Sequence, residues 1–329
     1  MKDFCVVGSG ISGATIASLL SKKFSVDVLE KARGLGGRAS NRRYIKNSSF
    51  DHGLQYINSN NNKFIQFLKF LKRKKIIKIW DGNHIDFTFK KKINTNKFIG
   101  VNGNNEISKF LLKNISVKCV THVQKIHFNS KYWTVTSKDG KVFFYKNVIL
   151  TCPYPQIKIL AKNYLNKKMK NLKVKMLPNI TVMAAYKNAT SLPVSSIKFK
   201  DDILGWAANE NSKKRFNLKE NLWTIQANFK WSNKFINKFK KNKKAVIKKV
   251  LMRFSDLTGI NSNLLCFSDI HGWKYSSNNN PTNFKSFWSK KHKLGVCGDW
   301  FIGSKIDSGW LSSNNLFKQI KKNPPKRRV

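Results

Sequence analysis

Acidic residues are scarce: 16 Asp and Glu stand against 64 Lys and Arg in 329 residues, leaving a formal charge of +48 spread over the whole length. No nucleic-acid motif accompanies that charge, so a general excess of solvated lysine is favoured over a specific polyanion site. A basic scaffold for nucleic acid or a membrane surface stays open, and its salt dependence would expose it. The five cysteines, Cys5, Cys119, Cys152, Cys266 and Cys297, are far apart and form no CxxC pair. That argues against a zinc site and for reduced, mostly buried thiols, with no metal expected. No window of ~18 uncharged apolar residues occurs, so no transmembrane helix is expected. The apolar stretch 4–20 contains three glycines and no A-x-A-like site follows it, so it reads as strand, turn and helix rather than a secretory leader. A cytoplasmic location is the expectation. Paired carboxylates and a Ser-His-Asp set are also missing, so no side chain is assigned as catalytic.

Apolar material is plentiful. With 41% hydrophobic residues, 24 Phe and 9 Trp, the chain can line a pocket for a planar cofactor with aromatic rings. Its length exceeds one ordinary core, so two domains, or one domain with a large insertion, are expected. Residues 3–7 form an apolar run, 11–21 carry apolar residues at helical spacing, and 26–30 form a second run. Strand, glycine turn, helix and strand make a βαβ unit.

Farther on, the patterning predicts a helix over 63–75, strands within 76–89, a helix near 106–113, and short strands at 117–120, 125–128, 133–136 and 142–145 closing with 148–152. Several strands, including 180–186 and 223–229, precede a Lys-rich helix over about 237–257. A buried strand at 294–297, a helix over 309–320 and a frayed tail over 321–329 complete the pattern.

Gly8-x-Gly10-x-x-Gly13 lies between the first strand and the helix, so Gly8, Ser9, Gly10, Ile11, Ser12 and Gly13 can offer backbone N–H groups to a pyrophosphate. Glu30 follows Gly13 by seventeen residues at the end of the second strand, where a carboxylate accepts ribose hydroxyls and disfavours a 2′-phosphate. NAD and FAD both fit that far. The next stretch, Lys31-Ala32-Arg33-Gly34-Leu35-Gly36-Gly37-Arg38, adds a second glycine turn with arginines. It resembles the second nucleotide motif of the flavin amine oxidase superfamily, which implies FAD with Lys31, Gly37 and Arg38 against it.

Asn41-Arg42-Arg43 and Phe50-Asp51-His52-Gly53-Leu54-Gln55-Tyr56 resemble the renalase-like branch of that superfamily, with Ile57 where an aromatic is usual. Val148 to Gln156, Trp206-Ala207-Ala208-Asn209, Lys213 to Arg215, Gly298-Asp299-Trp300 and Ser308-Gly309-Trp310-Leu311-Ser312 resemble it as well. His271-Gly272-Trp273-Lys274-Tyr275 departs from the branch's His-Arg-Trp-Arg-Tyr by the loss of one arginine. Lys274 can replace that group only as a point charge.

The resemblance implies noncovalent FAD with Gln55 beside the flavin, Val123 contacting adenine through its backbone and Asp299 bonding the ribityl chain. Amides around Gly309, Trp310 and Leu311, at a helix start, would face the pyrimidine edge and favour negative charge there. The alternative puts Trp310 in the core. The implied reaction is hydride transfer from an isomeric NAD(P)H to flavin N5, with O2 as acceptor. Tyr56, Tyr186, Trp206 and Trp273 would stack the substrate, with Lys213, Lys214 or Arg215 near its phosphates. A flavin amine oxidase is the alternative, supported if a lysine such as Lys198 or Lys200 reached the flavin through water. The expected fold class is α/β: a discontinuous Rossmann-like FAD-binding domain (1–60, 103–165, 290–329) and a mixed or antiparallel-sheet substrate domain (61–102, 166–289).

Overall fold

A computed structural model describes residues 1–45, 47–87, 96–188 and 192–322. Among these residues, the first sheet runs in the order Phe287–Ser289, Leu294–Val296, Val142–Leu150, Lys2–Val7, Val26–Leu29, Ser116–Lys118. Along this path all neighbours are parallel except the first pair, while Trp133–Ser137 and Val123–Phe128 add an antiparallel branch to Val142–Leu150. Strands covered on both sides must be apolar at every position rather than at alternate ones. Phe4, Val6, Val28 and Ile149 meet Ala14, Ile16 and Leu20 of helix Ile11–Leu20 and Leu316 and Ile320 of helix Ile306–Lys322. Cys5, Val7, Val148 and Leu150 face the other way, onto Val135, Ile126 and Ile157.

The runs 142–145 and 148–152 are one strand, Val142–Leu150. Its first half pairs antiparallel with Trp133–Ser137 while it also pairs parallel with Lys2–Val7, so it joins the meander to the parallel strands of the first sheet. Helix Asn62–Arg73 begins on Asn61, whose side chain accepts from the N–H groups of Lys63 and Phe64, a cap worth about 1 kcal/mol. Its Phe64, Leu68 and Leu71 fall on one buried face.

The second sheet is ordered Leu265–Asn278, Met176–Tyr186, Asn221–Ala227, Leu204–Asn209, Ser196–Lys198, His84–Asp86. Ile180, Val182, Ala184, Trp223 and Ile225 pack under Val246, Val250 and Phe254 of helix Lys243–Thr258. Cross-strand partners share a face. A single row crosses the opposite face in register: Asp86, Lys198, Trp206, Gln226, Thr181 and His271.

The expected Lys-rich helix over 237–257 is corrected to Lys243–Thr258, with a separate short helix at Phe229–Phe235. The edge strand Leu265–Asn278 has no counterpart in the apolar pattern because few of its residues are buried. The expected strand residues 88–89 and most of the terminal tail, 323–329, lie outside the described residues. Lys321 and Lys322 end the last helix.

Candidate cofactor and substrate site

The first glycine turn is shaped by close backbone approach. A side chain at Gly13 would run into the Gly8 carbonyl, and Gly8 itself has φ +104°, a left-handed value that L-residues rarely take. Helix Ile11–Leu20 starts on Gly10 with no side-chain cap and no acid in its first turn. The N–H groups of Ile11, Ser12 and Gly13 therefore have no partner within the helix. The positive end of a helix left open in this way suits an anion.

The second glycine turn closes over the first. Gly10 bridges Gly36, and a Cβ at Gly37 would lie 3.2 Å from the Gly10 Cα. Glu30 braces the first turn: its Oε2 accepts from Ser9 N at 2.8 Å and Ser9 Oγ at 2.7 Å, and its Oε1 accepts from Ala32 N at 2.8 Å. A carboxylate has about four acceptor positions, so Oε1 keeps capacity for a further donor. Lys31 is exposed beside it. Val123 is buried in the core two residues after Thr121, whose N–H bonds the Glu30 carbonyl at 2.8 Å.

Arg38 and Asp299, 261 residues apart, meet at 2.5 Å, and the second Arg38 amine donates to the Ser276 carbonyl at 2.8 Å. A third of the Arg38 side chain remains exposed. A side chain at Gly309 would collide with Ile11 Cγ2 and Ser12 Oγ, both 2.7 Å from its Cβ position, so this glycine lets the last helix seat on the first. That helix starts at Ile306 rather than at Gly309. The amides of Trp310 and Leu311 thus lie in its second turn, where the helix itself uses them. The Trp310 ring stacks on Phe67 at 5.4 Å and meets Phe64 edge-on at 5.6 Å, within the apolar cluster of helix Asn62–Arg73.

Segment 50–56 lies between the glycine turns and the polar row of the second sheet. The Leu54 N–H bonds the Arg38 carbonyl at 2.8 Å, and Gln226 of the row donates to the Gly53 carbonyl at 2.7 Å. The His52 ring meets that of His271 edge-on at 4.8 Å and tilts over Trp273 at 5.0 Å, while Trp273 Nε1 donates to the His52 carbonyl at 2.8 Å. Burial, then the neighbouring His271, pushes the His52 imidazole down to about 3. Burial and Arg42 push His271 down to about 4. Both rings are neutral at pH 7. Tyr56 tilts against Trp206 at 5.6 Å, with the Lys97 ammonium 5.6 Å above its ring.

Buried polar atoms without a partner concentrate along this junction. They include Asn105 Oδ1, His52 Nδ1, Gln55 Oε1 and Trp206 Nε1. Each such atom costs about 1–3 kcal/mol if it stays unbonded, so a polar ligand or water belongs beside it. Asn105 is next to the second glycine turn, since a Cβ at Gly36 would lie 2.8 Å from its own. The orphans therefore run from the glycine turns to the sheet face.

Three expected substrate contacts are corrected. Tyr186 is buried on the helix-covered face, away from the polar row, and burial raises its phenol to about 12. Arg215 and Lys213 are sealed and spent on acids rather than open to a phosphate. Arg215 NH1 bonds Asp51 Oδ2 at 2.5 Å, and Lys213 Nζ lies 2.7 Å from Asp51 Oδ2 and 2.9 Å from Glu210 Oε2. Glu210 was not singled out from the sequence, and Asp51 entered only within the Phe50–Tyr56 resemblance, with no role of its own.

A family model described as an NAD(P)-binding Rossmann-like domain matches residues 6–71. The chain is similar in structure to a provisionally named protoporphyrinogen oxidase from Exiguobacterium sp. 255-15, with TM-score 0.75 and 9% identity over 98% of this chain and 99% of that one. It is also similar to putrescine oxidase variants from a redesign of cofactor binding. A single mutant gives TM-score 0.67 at 10% identity and a double mutant 0.66 at 11%, each over 98% of this chain and 99% of the other. No curated protein matches. The likeness spans both sheets, so the whole chain shares the fold of these oxidases.

Proposed function

We propose that this protein is an FAD-dependent oxidoreductase of the renalase-like kind, holding FAD noncovalently and oxidising an isomeric NAD(P)H with O2 as acceptor. The observation that carries the reading is the contact of two glycine turns over an uncapped helix start, with Arg38 beside them. The N–H groups of Ile11, Ser12 and Gly13 would hold the pyrophosphate, and Glu30 Oε1 would take a ribose hydroxyl. Arg38 and Asp299 would hold the chain leading to the ring, with Gln55 beside the ring itself.

When bound, the flavin supplies a hydride acceptor at N5. The chain's own part is to bind and orient. Tyr56 and Trp206 offer apolar ring faces for a planar donor, and Trp206 Nε1 offers it a hydrogen bond. The neutral imidazoles of His52 and His271 add no charge to the junction. Hydride transfer needs no acid or base, in keeping with the lack of an assigned catalytic side chain.

An amine oxidase is the second reading, and Lys198 favours it, because it shares the polar row with Trp206 as its cross-strand partner. Anaerobic mixing with dihydronicotinamide isomers and with amines distinguishes the two. Bleaching at about 450 nm by a dihydronicotinamide isomer supports the first reading; bleaching by amines alone replaces it with the second. Acid precipitation should leave the flavin in the supernatant, and colourless protein that refuses added FAD overturns both.

A further inference from the structure

Four charged side chains meet where the second sheet joins the segment 50–56: Asp51, Glu210, Lys213 and Arg215, each with side-chain exposure of 2% or less. Two acids and two bases make the group neutral. Buried ion pairs often add no more stability than apolar residues of the same volume, and what they can add is direction. Every polar atom of Asp51 is engaged. Its Oδ2 takes Lys213 and Arg215, its Oδ1 accepts from Asn104 N at 3.3 Å, its N–H donates to Glu210 Oε1 at 3.2 Å, and its carbonyl accepts from Gln55 Nε2.

The bonds continue on both sides. Thr224 Oγ1, in the sheet, donates to Glu210 Oε1 at 2.7 Å. Arg215 also donates to the Gly100 carbonyl at 2.9 Å and to Asn104 Oδ1 at 3.2 Å, and Asn104 Nδ2 donates to the Leu54 carbonyl at 2.6 Å. Asn105, the next residue, touches the second glycine turn at Gly36 and bonds Asn41 Oδ1 at 3.1 Å. Directional contacts thus run from the sheet through Asp51 and Asn104 to the 50–56 segment, and through the chain neighbour Asn105 they end in a packing contact at the second glycine turn.

We propose that Lys213 and Arg215 are positioning residues of the flavin site, which through Asp51 and Asn104 set the 50–56 segment and the second glycine turn in one register with the sheet face. This rests on the flavin reading above. Lys213→Met leaves two buried acids against one guanidinium, whereas the double variant Glu210→Gln/Lys213→Met is neutral again. Arg215→Lys keeps the charge but loses the fork that reaches Gly100 and Asn104.

The test measures FAD affinity, the visible circular dichroism of bound flavin and its midpoint potential on the full-length protein. Lys213→Met is expected to weaken FAD binding about tenfold at pH 7 with an altered flavin dichroism. The defect should shrink as pH falls, because a proton on the excess carboxyl restores neutrality. The double variant should return to within about threefold of wild type, and Arg215→Lys should shift the dichroism and potential in protein that still folds.

Wild-type affinity and dichroism in folded Lys213→Met overturn the inference, as does a double variant no better than the single. If Lys213→Met fails to fold, the decision passes to Arg215→Lys, whose wild-type dichroism and potential would overturn it. Wild-type protein that takes up no FAD overturns the flavin reading and this inference with it, while FAD-binding wild type matched by every variant overturns the inference alone.

Discussion

Arg38 and Arg215 each bond an aspartate at 2.5 Å, yet a third of the Arg38 side chain is exposed while Arg215 shows 2%. Arg38 bonds the Asp299 carboxylate and the Ser276 carbonyl and still keeps part of its guanidinium open to solvent, so its field is available to whatever enters. Around Arg215 and Lys213 the space is filled by carboxylates, a carbonyl, an amide and the Trp80 ring, 5.2 Å from the Lys213 ammonium. One ion-pair chemistry therefore serves two ends. Depth decides which: the shallow pair can answer to a ligand, and the sealed set can only hold protein to protein.

If that contrast is right, the largest effect belongs to the sealed group. Asp51→Ala leaves two cations against Glu210 alone, and its urea midpoint should report a loss of about 3–5 kcal/mol. A loss below about 1 kcal/mol would place the quartet with ordinary surface pairs.

Gly13→Ala should come next, and should strike the ligand. Its methyl group would collide with the Gly8 carbonyl and spread the turn, so FAD affinity should fall about a hundredfold by titration calorimetry. Affinity within about threefold of wild type would remove the first turn from the cofactor site.

The imidazole pair lies between these two regions and gives a pH effect. Folded values of about 3 for His52 and about 4 for His271 lie below the ordinary 6.5. Their contribution to stability is complete above about pH 6.5 and declines as pH falls toward the folded values, because the unfolded chain takes up the protons first. By about pH 5 the loss should be on the order of 2 kcal/mol per imidazole, read as a falling melting temperature that His52→Asn makes shallower. Identical pH profiles for the two proteins would contradict it. Arg42, Lys240 and Lys31 around His271 act in the same sense, and Asp269 opposes them.

Arg38→Ala carries the smallest expectation: about a tenfold loss of FAD affinity with less than about 1 kcal/mol of stability, since its pair is partly solvated. A large stability loss without a change in affinity would invert the comparison.

Much of the first sheet and its helix was legible in the sequence. Lys2–Val7, Ile11–Leu20 and Val26–Leu29 fall within a residue or two of the expected runs, because burial on both faces writes itself as unbroken apolar sequence. The second sheet was read only in part. Leu265–Asn278 is an edge strand with little burial, so apolar pattern had little to report. Tyr186 was expected near Trp206 and Trp273, but alternation along Met176–Tyr186 turns it to the helix side.

By itself the sequence determined the glycine turns and the helix start behind them, since these depend on backbone freedom within fewer than forty residues of chain. Which basic side chains stay open and which are sealed was settled only by tertiary structure. Arg215 finds Asp51 across 164 positions and Arg38 finds Asp299 across 261. Desolvation and charge pairing are properties of the folded surroundings, and no local stretch of residues contains them.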